Sequence, residues 1–180
     1  ERMWLPLPAS VDYEQAGVWF QQAIALADQL AAPPLRARSL NRVGNWQVNT
    51  GRAIEGIRAH QQALTIFEAQ GDAQGMAESL DLLGTAYGLY GDKVNSVHYQ
   101  TQAVSLVRRL GDDRTLSSLL AGRAFQSALE TNETIYQPTR SVEECRADAE
   151  ESLRLARQVG SFSGQALAEF ALCYVSSFGG

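Results

Sequence analysis

The 180-residue sequence has few cysteines, no excess of positive charge and no long apolar run. Its two cysteines, Cys145 and Cys173, are too few for a disulfide framework, and we interpret them as small, half-buried apolar side chains in a reducing cytosol. The net charge of −5 argues against nucleic-acid and membrane-surface partners, because both are polyanions. No apolar run approaches the ~20 residues needed to cross a bilayer. We therefore expect a cytoplasmic protein.

The sequence also lacks the motifs of common catalytic and metal sites. Its two histidines, His60 and His98, lie on different predicted helices without neighbouring ligands, and we interpret both as surface or groove-edge residues. The glycines are isolated rather than grouped in a phosphate loop, and there is no nucleophile motif. We interpret the acidic residues at 143–151 as the solvated face of a helix start, where negative charge suits the helix dipole. We expect no enzyme activity, metal or cofactor.

What the sequence does contain is a repeat with a period of forty residues. The segment Gln22-Ala23-Ile24 aligns with Gln62-Ala63-Leu64 and with Gln102-Ala103-Val104, and Gly71-Asp72 aligns with Gly111-Asp112. A period in the range of about 20–50 residues is typical of stacked repeats, in which each unit buries its apolar face on the next. The pattern predicts an extended array that presents a surface to a partner.

Each repeat contains two helical stretches. Apolar residues recur at helical spacing, as at Leu80, Leu83 and Tyr87. The Gly-Asp pairs, and Gly160-Ser161, indicate helix ends, because glycine adopts the left-handed conformation and the next side chain accepts from the free amides of the following helix. Strand signals are absent. We predict an all-α fold of about eight helices, at about 11–31, 35–50, 52–70, 73–90, 92–110, 113–130, 141–159 and 162–177.

These helices group into repeats with a half repeat at each end. The predicted units are the half repeat 11–31, the repeats 35–70, 73–110 and 113–159, and the half repeat 162–177. The third repeat is longer because of an inserted polar loop at 131–140, which is either a tolerated surface loop or part of a binding face. The sequence starts on Glu1 rather than Met and ends within the repeat pattern at Gly180, so we expect a segment of a longer protein.

The residue pattern selects among the repeat families that share this period, such as HEAT and armadillo. The first helices of the pairs carry Leu40-x2-Val43-Gly44, Leu80-x2-Leu83-Gly84-x2-Tyr87 and Leu167-x2-Phe170-Ala171-x2-Tyr174. The pattern resembles the tetratricopeptide repeat in its longer form, as in kinesin light chains, cell-polarity adaptors, and bacterial signalling ATPases and transcription activators. The third repeat departs from it at Arg123 and Ser127. The resemblance implies a right-handed α-solenoid of antiparallel helix pairs that binds proteins or peptides.

The resemblance also implies which residues line the concave face. In the first two repeats they are Arg38, Asn41, Arg42, Asn45, Asn49, Glu78, Asp81 and Thr85, and in the third Ala121, Phe125 and Leu129. A ladder of asparagines can bind the backbone of an extended peptide, since each amide both donates and accepts hydrogen bonds. Arg38 and Arg42 suit a carboxylate, and Asp81 suits a basic or donor group. The alternative is an ordinary solvated helix face.

Two hypotheses for function follow. The first is a protein- or peptide-binding module, a sensor or adaptor array in a larger cytoplasmic regulatory protein of bacterial type, with no nucleic-acid or membrane partner. The second is a structural, self-associating element without a separate ligand. In that case a homodimer would form through the end of the array, because terminal repeats need a covering surface, or through the apolar residues Phe125 and Leu129. The residues at the end of the array are Leu167, Phe170, Tyr174 and Phe178.

Overall fold

The computed structural model describes the backbone of residues 13–130 and 140–177 and the side chains of residues 15–127 and 140–177. These ranges contain eight α-helices and no strand: α1 Tyr13–Gln29, α2 Pro33–Asn49, α3 Ala53–Gln70, α4 Ala73–Tyr90, α5 Lys93–Leu110, α6 Asp113–Glu130, α7 Val142–Gln158 and α8 Phe162–Ser176. The predicted all-α fold of about eight helices is confirmed. Phe178, the side chain of Leu129 and residues 131–139 of the predicted loop lie outside the described residues.

The turns between helices follow the chemistry predicted from the Gly-Asp pairs. Gly71 and Gly111 have φ angles of 66° and 70°, a left-handed conformation that residues with a Cβ rarely adopt. Asp112 Oδ1 then accepts a hydrogen bond of 3.0 Å from the amide of Thr115, and Ser161 Oγ accepts one of 3.1 Å from the amide of Gly164. Each junction therefore ends one helix and caps the next within two residues.

The chain divides into two compact units, residues 1–90 and 91–180. In unit 1, α1 to α4 pack in chain order, and α2 also contacts α4. The helices α2 and α3 meet at glycine, because a Cβ on Gly44 would lie 2.6 Å from a ring carbon of His60, and one on Gly56 would lie 2.7 Å from the carbonyl oxygen of Gly44. Ala37, Leu40 and Phe67 fill the core beside this contact.

In unit 2, α5 to α8 also pack in chain order, and α6 contacts α8. Ser117 Oγ donates to the carbonyl oxygen of Ser152 (2.9 Å), and Ser152 Oγ donates to that of Ser117 (2.7 Å). Three fully buried alanines, Ala124, Ala149 and Ala171, form the core where α6, α7 and α8 meet. Small side chains at these positions let three helices approach closely. The boundary between the units lies within the predicted repeat 73–110, and the repeat limits stay a prediction.

Candidate functional site

Helices α2 and α4 of unit 1 carry the partner-binding residues that the sequence predicts for the first two repeats. Asn41 Nδ2 donates a buried hydrogen bond of 3.0 Å to Ser79 Oγ. Arg42 Nη2 forms an ion pair of 3.6 Å with Glu78 Oε1 at the surface. These two links set the register of α2 against α4, so the structure places the predicted residues on two adjacent helices.

Asn41 is a core residue, which corrects the expectation that it lies on a binding surface. Its side chain is fully buried, and its Oδ1 lies 3.1 Å from His60 Nδ1 on α3. His60 is also fully buried, so its interpretation as a surface or groove-edge residue is wrong. Buried polar groups need hydrogen-bond partners, and Asn41, His60 and Ser79 supply them to one another. The predicted asparagine ladder is reduced to Asn45 and Asn49.

The other predicted residues of unit 1 form what we call the polar α2/α4 surface: Arg38, Arg42, Asn45, Asn49, Glu78, Asp81 and Thr85. Arg38, Arg42 and Asn49 are exposed, and the remaining four are half-buried. No ion pair of Arg38 is found within the described residues. The pair of Arg42 with Glu78 is solvent-exposed, and such pairs contribute only about 0–1 kcal/mol. A ligand carboxylate can therefore compete for Arg42 at little cost.

Unit 2 brings together aromatic residues that the sequence assigned to two different surfaces. The ring centroid of Phe125 on α6 lies 5.0 Å from that of Tyr174 and 5.1 Å from that of Phe170, both on α8. Phe170 remains 55% exposed and Leu167 40% exposed. The four residues form what we call the aromatic α6/α8 surface. Ala121, which the sequence placed beside Phe125, is fully buried.

Unit 2 also contains a buried ionic cluster that the sequence analysis missed. Arg123 Nε and Nη2 donate to the two carboxylate oxygens of Asp148 at 2.7 and 2.8 Å. Arg140 Nη1 donates to the same carboxylate at 2.7 Å. The three side chains are only 10–11% exposed, so the interpretation of Asp148 as part of a solvated face is wrong. The available signal was Arg123 itself, a charged residue at an apolar repeat position, which requires a buried counter-charge.

Cys145 lies three residues before Asp148 on α7 and is fully buried, whereas Cys173 is exposed, and both are free thiols. Burial raises the pKa of the Cys145 thiol, although the nearby Arg140 charge opposes the shift. A thiol whose pKa is raised carries little thiolate at neutral pH and is a poor nucleophile. Cys145 therefore acts as a small core side chain.

A separate depression of about 710 Å³ lies in unit 1 where α1 meets the turn between α2 and α3. Its lining residues are Gly17, Val18, Gln21, Gln22, Trp46, Gln47, Thr50 and Arg52. The Arg52 guanidinium carbon lies 4.0 Å from the centroid of the Trp46 ring. We call this feature the α2–α3 depression. Its residues come from α1, α2 and the turn that follows α2, and they share no motif that the sequence pattern could have revealed.

Among the described residues, no group of three or more His, Cys, Asp and Glu side chains could hold a metal ion. His98 is exposed, as the sequence predicted. None of the described helices is both long and apolar enough to cross a membrane.

No protein-family model and no curated protein sequence matches this chain. Among solved structures, the chain is similar to the crystal structure of BtubC (BKLC) from P. vanneervenii, with a TM-score of 0.58 and 13% sequence identity. The match covers 94% of this chain and 75% of BtubC. Together with the eight helices packed in chain order within each unit, this similarity shows a helical-repeat fold.

Proposed function

We propose that this chain is a protein-interaction module that binds a protein or peptide along the polar α2/α4 surface. The helical-repeat fold supports this class of function, because such arrays act by presenting side chains from successive helices. The resemblance of the residue pattern to the tetratricopeptide repeat supports a protein-interaction function further. A role as an adaptor or sensor in a cytoplasmic, bacterial regulatory protein, without catalysis of its own, is the form of this function that the repeat pattern favours.

The observation that carries the proposal is the division of α2 into a buried and an exposed polar set. Asn41 is turned into the core and bonded to Ser79, which holds α2 and α4 together. Arg38 and Asn49 remain exposed on the same helix, and Asp81 lies half-buried on α4. The surface therefore combines basic, amide and acidic groups on a pre-arranged backbone, which lowers the entropic cost of binding.

This combination specifies the ligand in chemical terms. An acidic group or carbonyl of the partner would face Arg38 and Arg42, and a basic or N–H group would face Asp81. An extended peptide of mixed charge meets both requirements, whereas a uniformly acidic tail would be repelled by Glu78 and Asp81. The partner is thus expected to be a polypeptide rather than a nucleic acid.

The test is a quantitative pull-down from native lysate with the wild type and with Arg38→Ala/Asp81→Ala, followed by affinity measurement on the captured protein. We expect at least a tenfold weaker affinity for the double variant, because charge-assisted hydrogen bonds contribute about 1.5–3 kcal/mol each. Glu55→Ala/Arg58→Ala removes the same charges from exposed positions on α3 and serves as the control. Equal affinity of the wild type and the Arg38/Asp81 variant would reject the polar α2/α4 surface as the binding site.

A second candidate function, self-association, is favoured by the aromatic α6/α8 surface. Phe170 and Leu167 expose apolar area next to Phe125, and a second copy would bury it. Sedimentation velocity distinguishes the two candidates. A dimer that is lost in Leu167→Ala/Phe170→Ala, and kept in the control Val94→Ala at a 73% exposed valine of α5, would support self-association. A monomer at all concentrations would exclude it.

A further inference from the structure

The α2–α3 depression contains a guanidinium group that is held in place before any ligand arrives. Arg52 Nε and Nη2 donate to Thr50 Oγ1 at 3.3 and 3.1 Å, and the guanidinium lies over the Trp46 ring. Thr50 Oγ1 in turn donates to the carbonyl oxygen of Trp46 at 2.8 Å. Two of the guanidinium nitrogens and one ring face are thereby committed, and within the described residues Arg52 Nη1 forms no hydrogen bond. A pre-positioned guanidinium is the preferred recognition group for a carboxylate.

The charge of the depression supports an anionic ligand. Among the described residues, its lining includes one cation, Arg52, and no acidic side chain, in a chain whose net charge is −5. No carboxylate within the described residues forms an ion pair with Arg52. The positive charge at this position is therefore not neutralised by a neighbour among them.

The same lining contains a hydrogen-bond acceptor that lacks a donor. The side-chain oxygen Oε1 of Gln47 is buried and has no hydrogen-bond partner among the described residues. Such a group costs about 1–3 kcal/mol, so a ligand N–H group that pairs with it, once the Gln47 side chain has rotated toward the depression, recovers this free energy. The ligand should therefore carry an N–H donor near its carboxylate.

The remaining lining combines two amide side chains, Gln21 and Gln22, with an apolar part formed by Gly17, Val18 and Trp46. The Trp46 ring sits against Gly17 so closely that a Cβ there would lie 2.4 Å from two of its carbons. Val18 beside it is 48% exposed. The volume of about 710 Å³ lies within the range of about 300–1,000 Å³ that is usual for small-ligand sites.

From these observations we infer that the α2–α3 depression binds an N-acylated α-amino acid with a free carboxylate, either as a small molecule or as the carboxy-terminal residue of a peptide. The carboxylate is bound by Arg52, the amide N–H donates to Gln47 Oε1, and an apolar side chain packs on Trp46 and Val18. The site uses none of the residues of the polar α2/α4 surface. Ligand binding in the α2–α3 depression is therefore independent of the proposed function, and each can be rejected without the other.

The test uses N-acetyl-phenylalanine as the probe and the fluorescence of Trp46 as the signal. The chain has three tryptophans, and the background Trp4→Phe/Trp19→Phe leaves Trp46 as the sole emitter. We expect saturable binding, with affinity about tenfold or more weaker for the neutral N-acetyl-phenylalaninamide and for 3-phenylpropionate, which lacks the N–H. Calorimetry on the same samples detects binding that leaves the fluorescence unchanged.

Variants of Arg52 test whether the probe binds in the α2–α3 depression. Arg52→Gln is expected to lose about tenfold or more in affinity, Arg52→Lys to lose less, and Arg58→Gln, at an exposed position on α3, to lose nothing. Thermal unfolding by circular dichroism establishes that each variant is folded. A tetrapeptide ending in phenylalanine distinguishes a peptide ligand from a small-molecule ligand. If the tetrapeptide binds more tightly than N-acetyl-phenylalanine, the ligand is a peptide carboxy terminus. If the two affinities are equal, the ligand is a small acid. No saturable binding by either method, equal binding of the amide, or equal affinity of Arg52→Gln would overturn the inference.

Discussion

Units 1 and 2 have the same number of helices and the same turn chemistry, but they differ in what they bury and what they expose. Unit 1 buries a hydrogen-bonded network, Asn41–His60–Ser79, under a polar surface. Unit 2 buries a charged cluster around Asp148 and exposes Phe170. The backbone pattern of a helical repeat therefore does not dictate the chemistry of its interior or of its surface.

The difference has a physical consequence for how each unit responds to substitution. A network of hydrogen-bonded side chains loses hydrogen bonds when one member is removed, which costs about 1–3 kcal/mol per unsatisfied group. A buried cluster of two cations and one anion loses the carboxylate that both cations share if the anion is removed, which costs more. We therefore expect unit 2 to contain the position of greatest sensitivity.

The largest effect is expected at the centre of the unit 2 cluster. Asp148→Ala leaves Arg123 and Arg140 nearly buried without their counter-charge and should destabilise the fold by about 3–5 kcal/mol. Urea unfolding measures the change, and Glu150→Ala, at an exposed site on the same helix, is the control. A cost below about 1 kcal/mol would show that the cluster does not hold unit 2 together.

A smaller effect is expected from adding one methyl group to a glycine in each unit. Gly44→Ala in unit 1 places a Cβ 2.6 Å from the buried His60 ring and should cost about 1–3 kcal/mol through overpacking. Gly122→Ala on α6 of unit 2 meets no atom within 4 Å and should stabilise by about 0.5–1 kcal/mol, because alanine favours the helix. Opposite signs in thermal unfolding are the expected result. Stabilisation by Gly44→Ala would contradict the close packing at Gly44, and destabilisation by Gly122→Ala would contradict the open space at Gly122.

The smallest effect concerns the helix cap at Asp112, which has a counterpart at Asp72 in unit 1. Hydrogen bonds from the side chain and the backbone of Thr115 lower the pKa of Asp112 below its ordinary value of 3.8. Asp112→Ala should cost about 1 kcal/mol at neutral pH, and Asp112→Asn less, since an amide oxygen still caps the helix.

The direction of the pKa shift also sets the pH dependence of this cap. Because the pKa is lowered by folding, the charged cap contributes its full stability above pH 3.8 and loses it as the pH falls through the lower, folded value. The difference in unfolding free energy between the wild type and Asp112→Asn should therefore shrink in acid. A difference that is constant from neutral pH to pH 2 would show that the charge of Asp112 contributes nothing.

Much of the secondary structure was predictable because its causes are local. The left-handed glycines and the capping side chains at Asp112 and Ser161 act within a few residues of their own position, so spacing alone located the helix ends. The residues predicted for the first two repeats lie on α2 and α4, which contact each other, and their role in binding stays a prediction. Asn41, however, was assigned to the surface. Helical spacing shows which residues share one face of a helix, but it does not show how deeply each of them is buried.

The sequence by itself determined the helices, their order and their ends, since each depends on neighbours along the chain. Only the tertiary structure decided which polar residues are buried, because a side chain such as Asn41 or Asp148 can be placed in the interior only when a distant residue completes its hydrogen bonds or cancels its charge. The tertiary structure also brought Arg52, Trp46 and Gln47 to one depression with residues of α1. That depends on how whole helices pack, which no local pattern specifies.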